Sequence, residues 1–296
     1  MRVRVPASSA NLGPGFDSFA IALPLLAEFE LRPARGWTVE ADGEGVPAGD
    51  DNLFVVGARG VAKAARASLA PQHVVQRSAI PIARGLGSSA AAIVGGAVAA
   101  NALLGEPLDR RTLLRVASEV EGHADNVAAA LYGALTVALP EQGGPVATRI
   151  AFPRTWRVCV FIPGTTLETE KARGILPAQV SRDDAVYNLA HAAALVAAVL
   201  RSDGALLALA MTDRLHQPAR TSLVPALAEI IASAREAGAF GAALSGAGPS
   251  VLAICDSPIT AHAVEKAWGA SGVPGMATRL RFDTDGARLS APEAVR

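Results

Sequence analysis

Cysteine and aromatic residues are scarce in this 296-residue sequence. The two cysteines, Cys159 and Cys255, are too few for a disulfide framework and do not have the paired spacing of zinc ligands. Aromatic residues make up 4% of the chain and hydrophobic residues 51%, so Ala, Val, Leu and Gly must fill the core. The five histidines are scattered and form no His-Glu-x-x-His cluster. A structural metal site is therefore not expected.

An excess of charge of one sign is also lacking. The 27 basic and 27 acidic residues give a formal net charge of zero. Proteins that bind nucleic acid through a general electrostatic surface are normally basic, so the sequence argues against such a partner. The longest stretch without formal charge, residues 85–105, has the length of a membrane span, but Ser88, Ser89, Asn101 and five glycines disfavour insertion. Because residues 1–6 show no apolar signal core, we expect a cytoplasmic protein that does not associate with membranes.

The length of the chain predicts two domains of about 150 residues each. The strongest turn signal near the middle is the segment Glu141-Gln-Gly-Gly-Pro145. We place the boundary between this turn and Pro153, which gives a first domain of residues 1–153 and a second of residues 154–296. Strands and helices follow one another without a strict βαβ rhythm, which indicates an α+β fold rather than a doubly wound sheet.

Hydrophobic periodicity and capping residues predict the individual elements. Arg2 to Val5 alternate as a strand that should end at Pro6, and a loop of small residues is expected from Ala7 to Asp17, with the next strand at Leu25–Leu31. Asp51 is the expected cap of the first helix. In the second half, helices are expected at residues 182–201, 203–213, 223–237 and 259–269, followed by a last strand that ends at Phe282.

The segment Gly85-Leu-Gly-Ser-Ser-Ala-Ala91 has the composition of a phosphate-binding loop. It follows a predicted strand and precedes a predicted helix at residues 90–104. Glycines let the backbone approach a ligand closely, and successive N–H groups at the start of a helix bind anions. The hydroxyls of Ser88 and Ser89 could reach phosphate oxygens or a magnesium ion. A serine-capped helix start without a ligand explains the same residues equally well.

Several common enzyme classes lack their motifs here. The sequence contains no Gly-x-x-x-x-Gly-Lys-Ser/Thr, and no His-Arg-Asp loop or Asp-Phe-Gly, which excludes P-loop enzymes and protein kinases. The loop at Gly85–Ala91 fits the dinucleotide fingerprint only weakly, because no second strand ends in an acidic residue about 20 positions later. The segment Ala243–Ala247 only approximates the Gly-x-Ser-x-Gly of serine hydrolases.

Three loops of related composition occur along the chain, at Pro6–Asp17, Pro81–Ala91 and Ser245–Ser250. Their residues and their order resemble those of the GHMP kinases, a family of small-molecule kinases, over nearly the whole chain. The first loop, Pro-Ala-Ser-Ser-Ala-Asn-Leu-Gly-Pro-Gly-Phe-Asp, is similar to the homoserine kinase branch of this family. The segments Glu121-Gly-His-Ala-Asp-Asn-Val127, Thr169–Arg173 and Gln217–Arg220 show the same similarity. Two departures, Ala20 for Gly and Ala124 for Pro, remove no functional side chain.

This resemblance implies both a fold and an activity. The expected fold has an N-terminal domain of the ribosomal-protein S5 domain-2-like type and a ferredoxin-like C-terminal domain, with the active site between them. The implied reaction is ATP-dependent phosphorylation of L-homoserine to O-phospho-L-homoserine, a step towards threonine, with Mg²⁺ as cofactor. Two alternatives stay open: another GHMP-type kinase of a small hydroxylated metabolite, and a non-catalytic nucleotide-binding module. A homodimer is also implied by the family.

The resemblance assigns the ATP site to the second loop. The residues expected to contact the nucleotide phosphates are Pro81, Ile82, Ala83, Arg84, Gly85, Leu86, Gly87, Ser88, Ser89, Ala90 and Ala91. Mg²⁺ prefers one or two protein oxygens together with phosphates and water, and the expected ligands are Glu121 and Ser88. Glu119 is a rival for the carboxylate, because related kinases vary in the spacing between this Glu and the following Asp-Asn.

Homoserine is a zwitterion, so its pocket needs cations for the carboxylate and acceptors for the ammonium group. The resemblance implies that Arg173 and Arg220 bind the carboxylate, whose geometry the guanidinium group matches. It further implies that Asp17, with Asn11, binds the ammonium group and that Asn126 orients the reacting hydroxyl. His123, Thr169 and Gly246 complete the predicted substrate site. The expected catalytic residues are Asn126, Asp17 and Ser88; whether Asn126 or the adjacent Asp125 faces the substrate stays open.

Overall fold

Two β-sheets with helices packed against them organise the chain. The computed structural model describes residues 1–43 and 45–290. Its strands are β1 (Arg2–Asn11), β2 (Gly15–Pro33), β3 (Thr38–Ala41), β4 (Gln72–Ser78), β5 (Leu135–Leu139), β6 (Val146–Ile150), β7 (Arg157–Pro163), β8 (Gly241–Leu244), β9 (Val251–Cys255), β10 (Gly275–Leu280) and β11 (Arg288–Ser290). Its helices are α1 (Leu53–Ala64), α2 (Ser88–Leu103), α3 (Arg110–Glu121), α4 (Asp125–Tyr132), α5 (Thr169–Gly174), α6 (Arg182–Arg201), α7 (Gly204–Ala210), α8 (Gln217–Arg220), α9 (Leu227–Glu236) and α10 (Pro258–Ala270).

The first half of the chain forms most of a seven-stranded sheet. Its order is β11-β1-β2-β4-β3, and β5 pairs with both β2 and β6. The pairs are antiparallel except for β3 with β4. Phe29 of β2 packs against Phe54 of α1 in a tilted arrangement, with ring centroids 4.7 Å apart. Gly96 of α2 lies against the carbonyl of Phe54, where a Cβ would not fit, so the small residues of α2 let the two helices pack closely.

The second half forms a four-stranded antiparallel sheet in the order β10-β7-β9-β8. Counted along the second half, this order is 4-1-3-2, with helices between the first and second strands and between the third and fourth. That arrangement is the ferredoxin-like fold and confirms the expected fold class. Helices α9 and α10 cover one face, and Trp268 of α10 donates from Nε1 to the carbonyl of Ile230 of α9 at 2.8 Å.

The first strand is longer than predicted. The expectation that it ends at Pro6 is wrong: β1 continues to Asn11, and β2 begins at Gly15 rather than near Leu25. The register between β1 and β2 shifts between Pro6 and Ala7. Proline has no amide hydrogen to donate to a neighbouring strand. It is therefore tolerated where the regular pairing of two strands is interrupted, as it is here.

Other boundaries also differ from the predictions. Asn52 rather than Asp51 caps α1, and its side chain accepts a hydrogen bond from the amide of Phe54. The short helices α5 and α8 were not expected. After Phe282 the chain returns to the first sheet, where β11 pairs with β1. The division into residues 1–153 and 154–296 stays a prediction, with residues 288–290 lying in the sheet of the first half and residues 291–296 outside the described part.

Helix α6 has the length and apolar content that a membrane span requires, with a mean hydropathy of 1.2. It is the one such helix among the residues described, and a single helix of this kind is weak evidence because helices of soluble proteins can pass the same test. The uncharged stretch at residues 85–105 forms the shorter helix α2, which is largely buried.

Candidate active site

The three loops singled out in the sequence meet at the junction of the two sheets. The hydroxyl of Ser245 lies 2.7 Å from that of Ser9 and 2.6 Å from the carbonyl of Gly85. Asn11 donates from Nδ2 to the carbonyl of Gly246 at 2.9 Å. The amide of Ser8 donates to the carbonyl of Leu86 at 3.1 Å, so each loop is held by the other two. The loops form one wall of a cavity of about 280 Å³.

The second loop leaves the start of α2 open to an anion. Gly87, at the N-cap position, has a φ of +69° and carries no side chain that could accept from the first-turn amides. Those N–H groups lack partners within a helix and attract negative charge. A Cβ at Gly87 would collide with the hydroxyl of Ser8 and approach Oδ1 of Asn126 to 3.2 Å. Glycine is thus required by both the backbone conformation and the close approach.

The second loop is also attached to the second half of the chain. Arg84 donates from Nε to the carbonyl of Pro163 at 3.0 Å and from Nη2 to that of Gly164 at 2.9 Å. The amide of Leu167 donates to the carbonyl of Ala83 at 3.0 Å. These bonds fix the loop's position relative to both sheets.

Glu121 is hydrogen-bonded to a serine at the end of the second loop. Its side chain is 7% exposed, and Oε1 accepts a hydrogen bond from the hydroxyl of Ser89 at 2.5 Å. Burial raises the pKa of Glu121, although the Ser89 hydrogen bond and the nearby His123 oppose the shift. The serine that hydrogen-bonds to Glu121 is therefore Ser89, and the assignment of Glu121 and Ser88 as the Mg²⁺ ligands stays a prediction.

Glu119 occupies a different environment from Glu121. Its side chain is 61% exposed and pairs with Arg115 one helical turn earlier, at 2.7 Å. Glu119 does not line the cavity, whereas Glu121 does. The geometry therefore favours Glu121 as the carboxylate that could meet a bound metal ion.

Asp125 and Asn126 have distinct partners at the start of α4. Oδ1 of the buried Asp125 lies 2.7 Å from Nδ1 of His123 and accepts from the amide of Asn126 at 2.7 Å. Burial opposes protonation of His123, but its hydrogen bond to Asp125 and the adjacent carboxylates outweigh burial, and the pKa of His123 is raised. Asn126 accepts from the hydroxyl of Ser8 at 2.8 Å. Oδ1 of Asp125 is thus already engaged by the ring of His123 and by the amide of Asn126.

Asp17 and Arg173 form a two-pronged ion pair. Nη2 of Arg173 lies 2.7 Å from Oδ1 of Asp17, and Nη1 lies 2.9 Å from Oδ2. Both side chains are 35% exposed and line the cavity. The amide of Asp17 donates to Oδ1 of Asn11 at 3.0 Å, which orients the turn. The two groups predicted to bind opposite charges of the substrate therefore bind each other.

Arg220 differs from Arg173 because it is almost completely buried, with 1% exposure. It donates from Nε to the carbonyl of Ala172 at 3.1 Å and from Nη1 to that of Gly246 at 3.2 Å. Nη1 also lies 3.1 Å from Nδ1 of His216. Burial lowers the pKa of Arg220, and the charge of Arg173 lowers it further.

His216 completes this buried network as a neutral imidazole. Burial lowers the pKa of His216, and the ring is fully enclosed. Nε2 lies 2.8 Å from the carbonyl of Gly13, so this nitrogen carries the proton and Nδ1 accepts from Arg220. Phe16 stacks on the ring with centroids 5.3 Å apart.

The cavity brings together nearly all residues predicted for the site. Those that line it are Asn11, Asp17, Pro81, Ile82, Ala83, Arg84, Gly85, Leu86, Gly87, Ser88, Ser89, Glu121, His123, Asn126, Thr169, Arg173, Arg220 and Gly246. Ala90 and Ala91 do not, because both are buried within α2. The lining residues missed by the sequence analysis include Val46, Leu53 and Gln76. Only Gln76 has a sequence signal, as a polar residue at an inward position of β4.

Comparisons with known proteins agree on the kind of protein this chain resembles. The family model "GHMP kinases N terminal domain" matches residues 52–134, and "GHMP kinases C terminal" matches residues 195–274. A homoserine kinase of Moorella thermoacetica is 43% identical over 92% of this chain and 93% of its own length. One of Deinococcus radiodurans is 46% identical over 86% and 84%, respectively. The crystal structure of homoserine kinase from Cytophaga hutchinsonii superposes with a TM-score of 0.89, at 28% identity, and covers 97% of this chain and 96% of its own.

Proposed function

The chain belongs to the GHMP kinase family, and we propose that it transfers the γ-phosphoryl group of ATP to the hydroxyl of L-homoserine, forming O-phospho-L-homoserine. This is a reaction of threonine biosynthesis. The observation that carries the proposal is the shared cavity: an anion site at the start of α2 and the pair of Asp17 and Arg173 line the same space. The matches to homoserine kinases over most of the chain support the same reaction.

The ion pair of Asp17 and Arg173 accounts for recognition of an amino acid. A zwitterion can replace each partner of the pair with one of its own charges: its ammonium group binds Asp17 and its carboxylate binds Arg173. Asn11 holds the turn at Asp17, and the guanidinium fork of Arg173 matches a carboxylate with two parallel hydrogen bonds. Arg220, Thr169 and Gly246 line the same cavity.

The reacting hydroxyl is oriented by Asn126, whose carbonyl is held by Ser8 close to Gly87 of the second loop. Phosphoryl transfer passes through a loose transition state that needs positioning and charge neutralisation more than a strong base. We assign Asp125, whose Oδ1 is bonded to the ring of His123, to holding the amide of Asn126 rather than to taking the proton. The enzyme thus works by alignment and electrostatic stabilisation, with the alcohol proton leaving on the transferred phosphate.

Magnesium fits the oxygen donors beside the second loop. Glu121, with the hydroxyls of Ser88 and Ser89, supplies the one carboxylate and neutral oxygens that this hard cation takes together with phosphates and water. Among the described residues no group of three or more His, Cys, Asp or Glu side chains forms a closed metal cage. When bound, Mg²⁺ would neutralise charge on the nucleotide phosphates. Glu121 would hold the ion, and Ser89 would orient the carboxylate.

A coupled assay of ADP release tests the proposed reaction. We expect turnover with ATP and L-homoserine, and slower turnover with other small alcohols such as mevalonate and galactose. Phosphorus NMR of the product should show a phosphate monoester on the side-chain hydroxyl of homoserine. Faster turnover with another alcohol would favour the alternative of a different GHMP-type kinase. Nucleotide binding without turnover of any alcohol would identify a binding module instead.

Location and assembly are also part of the proposal. The zero net charge is the ground for proposing a cytoplasmic enzyme without a nucleic-acid or membrane partner, and the family is the ground for proposing a homodimer. Light scattering on the purified chain measures the assembly directly, and a monomer at assay concentrations would remove the dimer from the proposal.

A further inference from the structure

Gln76 is an unexplained polar residue in the wall of the cavity. It lies on β4, opposite Phe29 of β2, with its side chain on the buried face. The residue is 8% exposed, and its Oε1 has no hydrogen-bond partner among the residues that the structure describes. An unpaired buried acceptor destabilises a fold, so a partner supplied from outside the chain would explain why it is there.

The surroundings of Gln76 are suited to a flat apolar ring. Leu53 is 39% exposed and Ile82 49% exposed, and both line the cavity together with Val46. The amide of Asp42 donates to the backbone carbonyl of Gln76 at 3.3 Å. A Cβ at the next residue, Gly43, would lie 3.8 Å from Val46 and 3.9 Å from Ile82. The apolar side chains and Gln76 therefore line the same cavity, and the segment that carries Val46 begins at the backbone of Gln76.

The phosphate-binding loop begins in the same part of the cavity. Ile82 lies five residues before Gly87, so the apolar end is continuous along the chain with the anion site. A ligand with a phosphate group at one end and an aromatic ring at the other would span both. This points to the nucleotide base, on the basis of the proposed ATP-dependent function.

We propose that the carboxamide of Gln76 binds the adenine base of ATP through its 6-amino group. Oε1 would accept from the exocyclic N–H, and the amide NH₂ of the same side chain can donate to the adjacent ring nitrogen. A glutamine carboxamide matches adenine in this two-bond arrangement. Leu53, Ile82 and Val46 would contact the faces of the ring. Gln76 thereby determines the base preference of the kinase, without contact to the reacting atoms.

Calorimetric binding of two nucleotides tests this assignment independently of catalysis. ADP carries the 6-amino group, and purine riboside 5′-diphosphate lacks it. We expect the native chain to bind ADP about tenfold more tightly than the analogue, a difference of about 1.4 kcal/mol. In Gln76→Leu, which keeps a similar volume, the two nucleotides should bind equally, and the affinity for the analogue should stay near its native value.

Gln72→Leu is the matched control, because Gln72 lies on the same face of β4 but not in the cavity. Its Nε2 donates to the carbonyl of Ala70 at 3.1 Å, so this variant should lower the melting temperature and leave the preference for ADP unchanged. Gln76→Leu should keep or raise the melting temperature, since the oxygen it removes has no partner. A Gln76→Leu protein that still prefers ADP tenfold overturns the assignment. So does an equal loss of affinity for both nucleotides, which would indicate a packing role.

Failure of this proposal can be told apart from failure of the proposed function. If the chain phosphorylates homoserine with ATP and Gln76→Leu still prefers ADP, only the role of Gln76 is wrong. If the base preference behaves as expected but no alcohol is phosphorylated, Gln76 binds adenine in a protein that is not a kinase. A native chain that binds neither nucleotide contradicts both.

Discussion

Replacing Arg173 and Arg220 separately by alanine should separate substrate binding from stability. Arg220→Ala removes the donor of two buried acceptors, the carbonyl of Ala172 and Nδ1 of His216, whereas the carbonyl of Gly246 keeps its hydrogen bond from Asn11. A buried acceptor left without a partner costs about 1–3 kcal/mol, so the two together amount to about 2–6 kcal/mol. At about 2–4 °C per kcal/mol, the melting temperature should fall by about 4–24 °C. Arg173→Ala breaks a pair that is 35% exposed on each side, and such pairs contribute about 0.2–1 kcal/mol.

The loss of kcat/KM that depends on the substrate carboxylate should be larger for Arg173→Ala than for Arg220→Ala, which is the opposite of their order in melting temperature. Arg173→Ala removes charge-assisted hydrogen bonds to the substrate carboxylate worth about 1.5–3 kcal/mol. This corresponds to a loss of about 10- to 150-fold in kcat/KM for homoserine. Arg173→Lys should recover only part of the loss, because an ammonium group cannot form the two parallel bonds. The assay is ADP release, combined with thermal melting of each purified variant.

An analogue of homoserine with its carboxylate reduced to an alcohol supplies the decisive comparison. The native enzyme should use it poorly, and Arg173→Ala should lose little further activity on it, because the group that Arg173 binds is already absent. If Arg173→Ala reduces kcat/KM equally for both substrates, Arg173 acts on ATP or on folding, and the assignment of the carboxylate to Arg173 is wrong. If Arg220→Ala melts like the native protein, the buried bonds of Arg220 do not stabilise the fold as we describe.

Three further predictions concern the metal, the second loop and pH. Glu121→Gln should lower kcat strongly with little change in the KM for homoserine, whereas Glu119→Gln, on the exposed face of α3, should be mild; the reverse ranking would assign the metal to Glu119. Gly87→Ala should raise the KM for ATP because its Cβ meets Ser8, whereas Gly105→Ala, also at positive φ but with nothing within 4 Å, should leave ATP kinetics unchanged; equal effects would argue against the anion site. Because burial lowers the pKa of His216, the unfolded chain takes up a proton near its ordinary pKa of 6.5 that the folded chain does not. The free energy of unfolding should therefore fall as the pH drops below 6.5, and urea melts of His216→Gln should show a smaller fall.

The position of the anion site could be predicted from the sequence because it depends on local structure. The residues from Gly85 to Ser89 form a turn and the first turn of a helix, and both follow from glycine, serine and the apolar run after them. The identity of the serine beside Glu121 could not be predicted. It depends on which face of α2 packs against α3. A rotation of either helix by one residue would bring a different side chain of α2 next to Glu121.

The buried polar groups show the same limit. Arg220 resembles a surface residue in the sequence, since arginine is mostly exposed, and only the converging carbonyls of Ala172 and Gly246 explain its burial. Gln76 is preceded on its strand by inward-facing Val74, but alternation alone cannot tell a core position from a cavity wall. The course of β1 beyond Pro6 likewise depends on its pairing with β2, which lies outside any local pattern.

The pairing of β11 with β1 has a consequence for how the chain folds during synthesis. Val3 lies opposite Leu289, so the first sheet receives its outermost strand from residues that the ribosome adds after all the other described strands. Until then the amide and carbonyl groups at the start of β1 form an exposed edge, which can pair with a second nascent chain. A chaperone that shields this edge should raise the yield of native enzyme. Because Arg2 and Ser290 are neighbours in the sheet, a circularly permuted gene that joins them through a short linker would translate β11 and β1 consecutively and close the edge early.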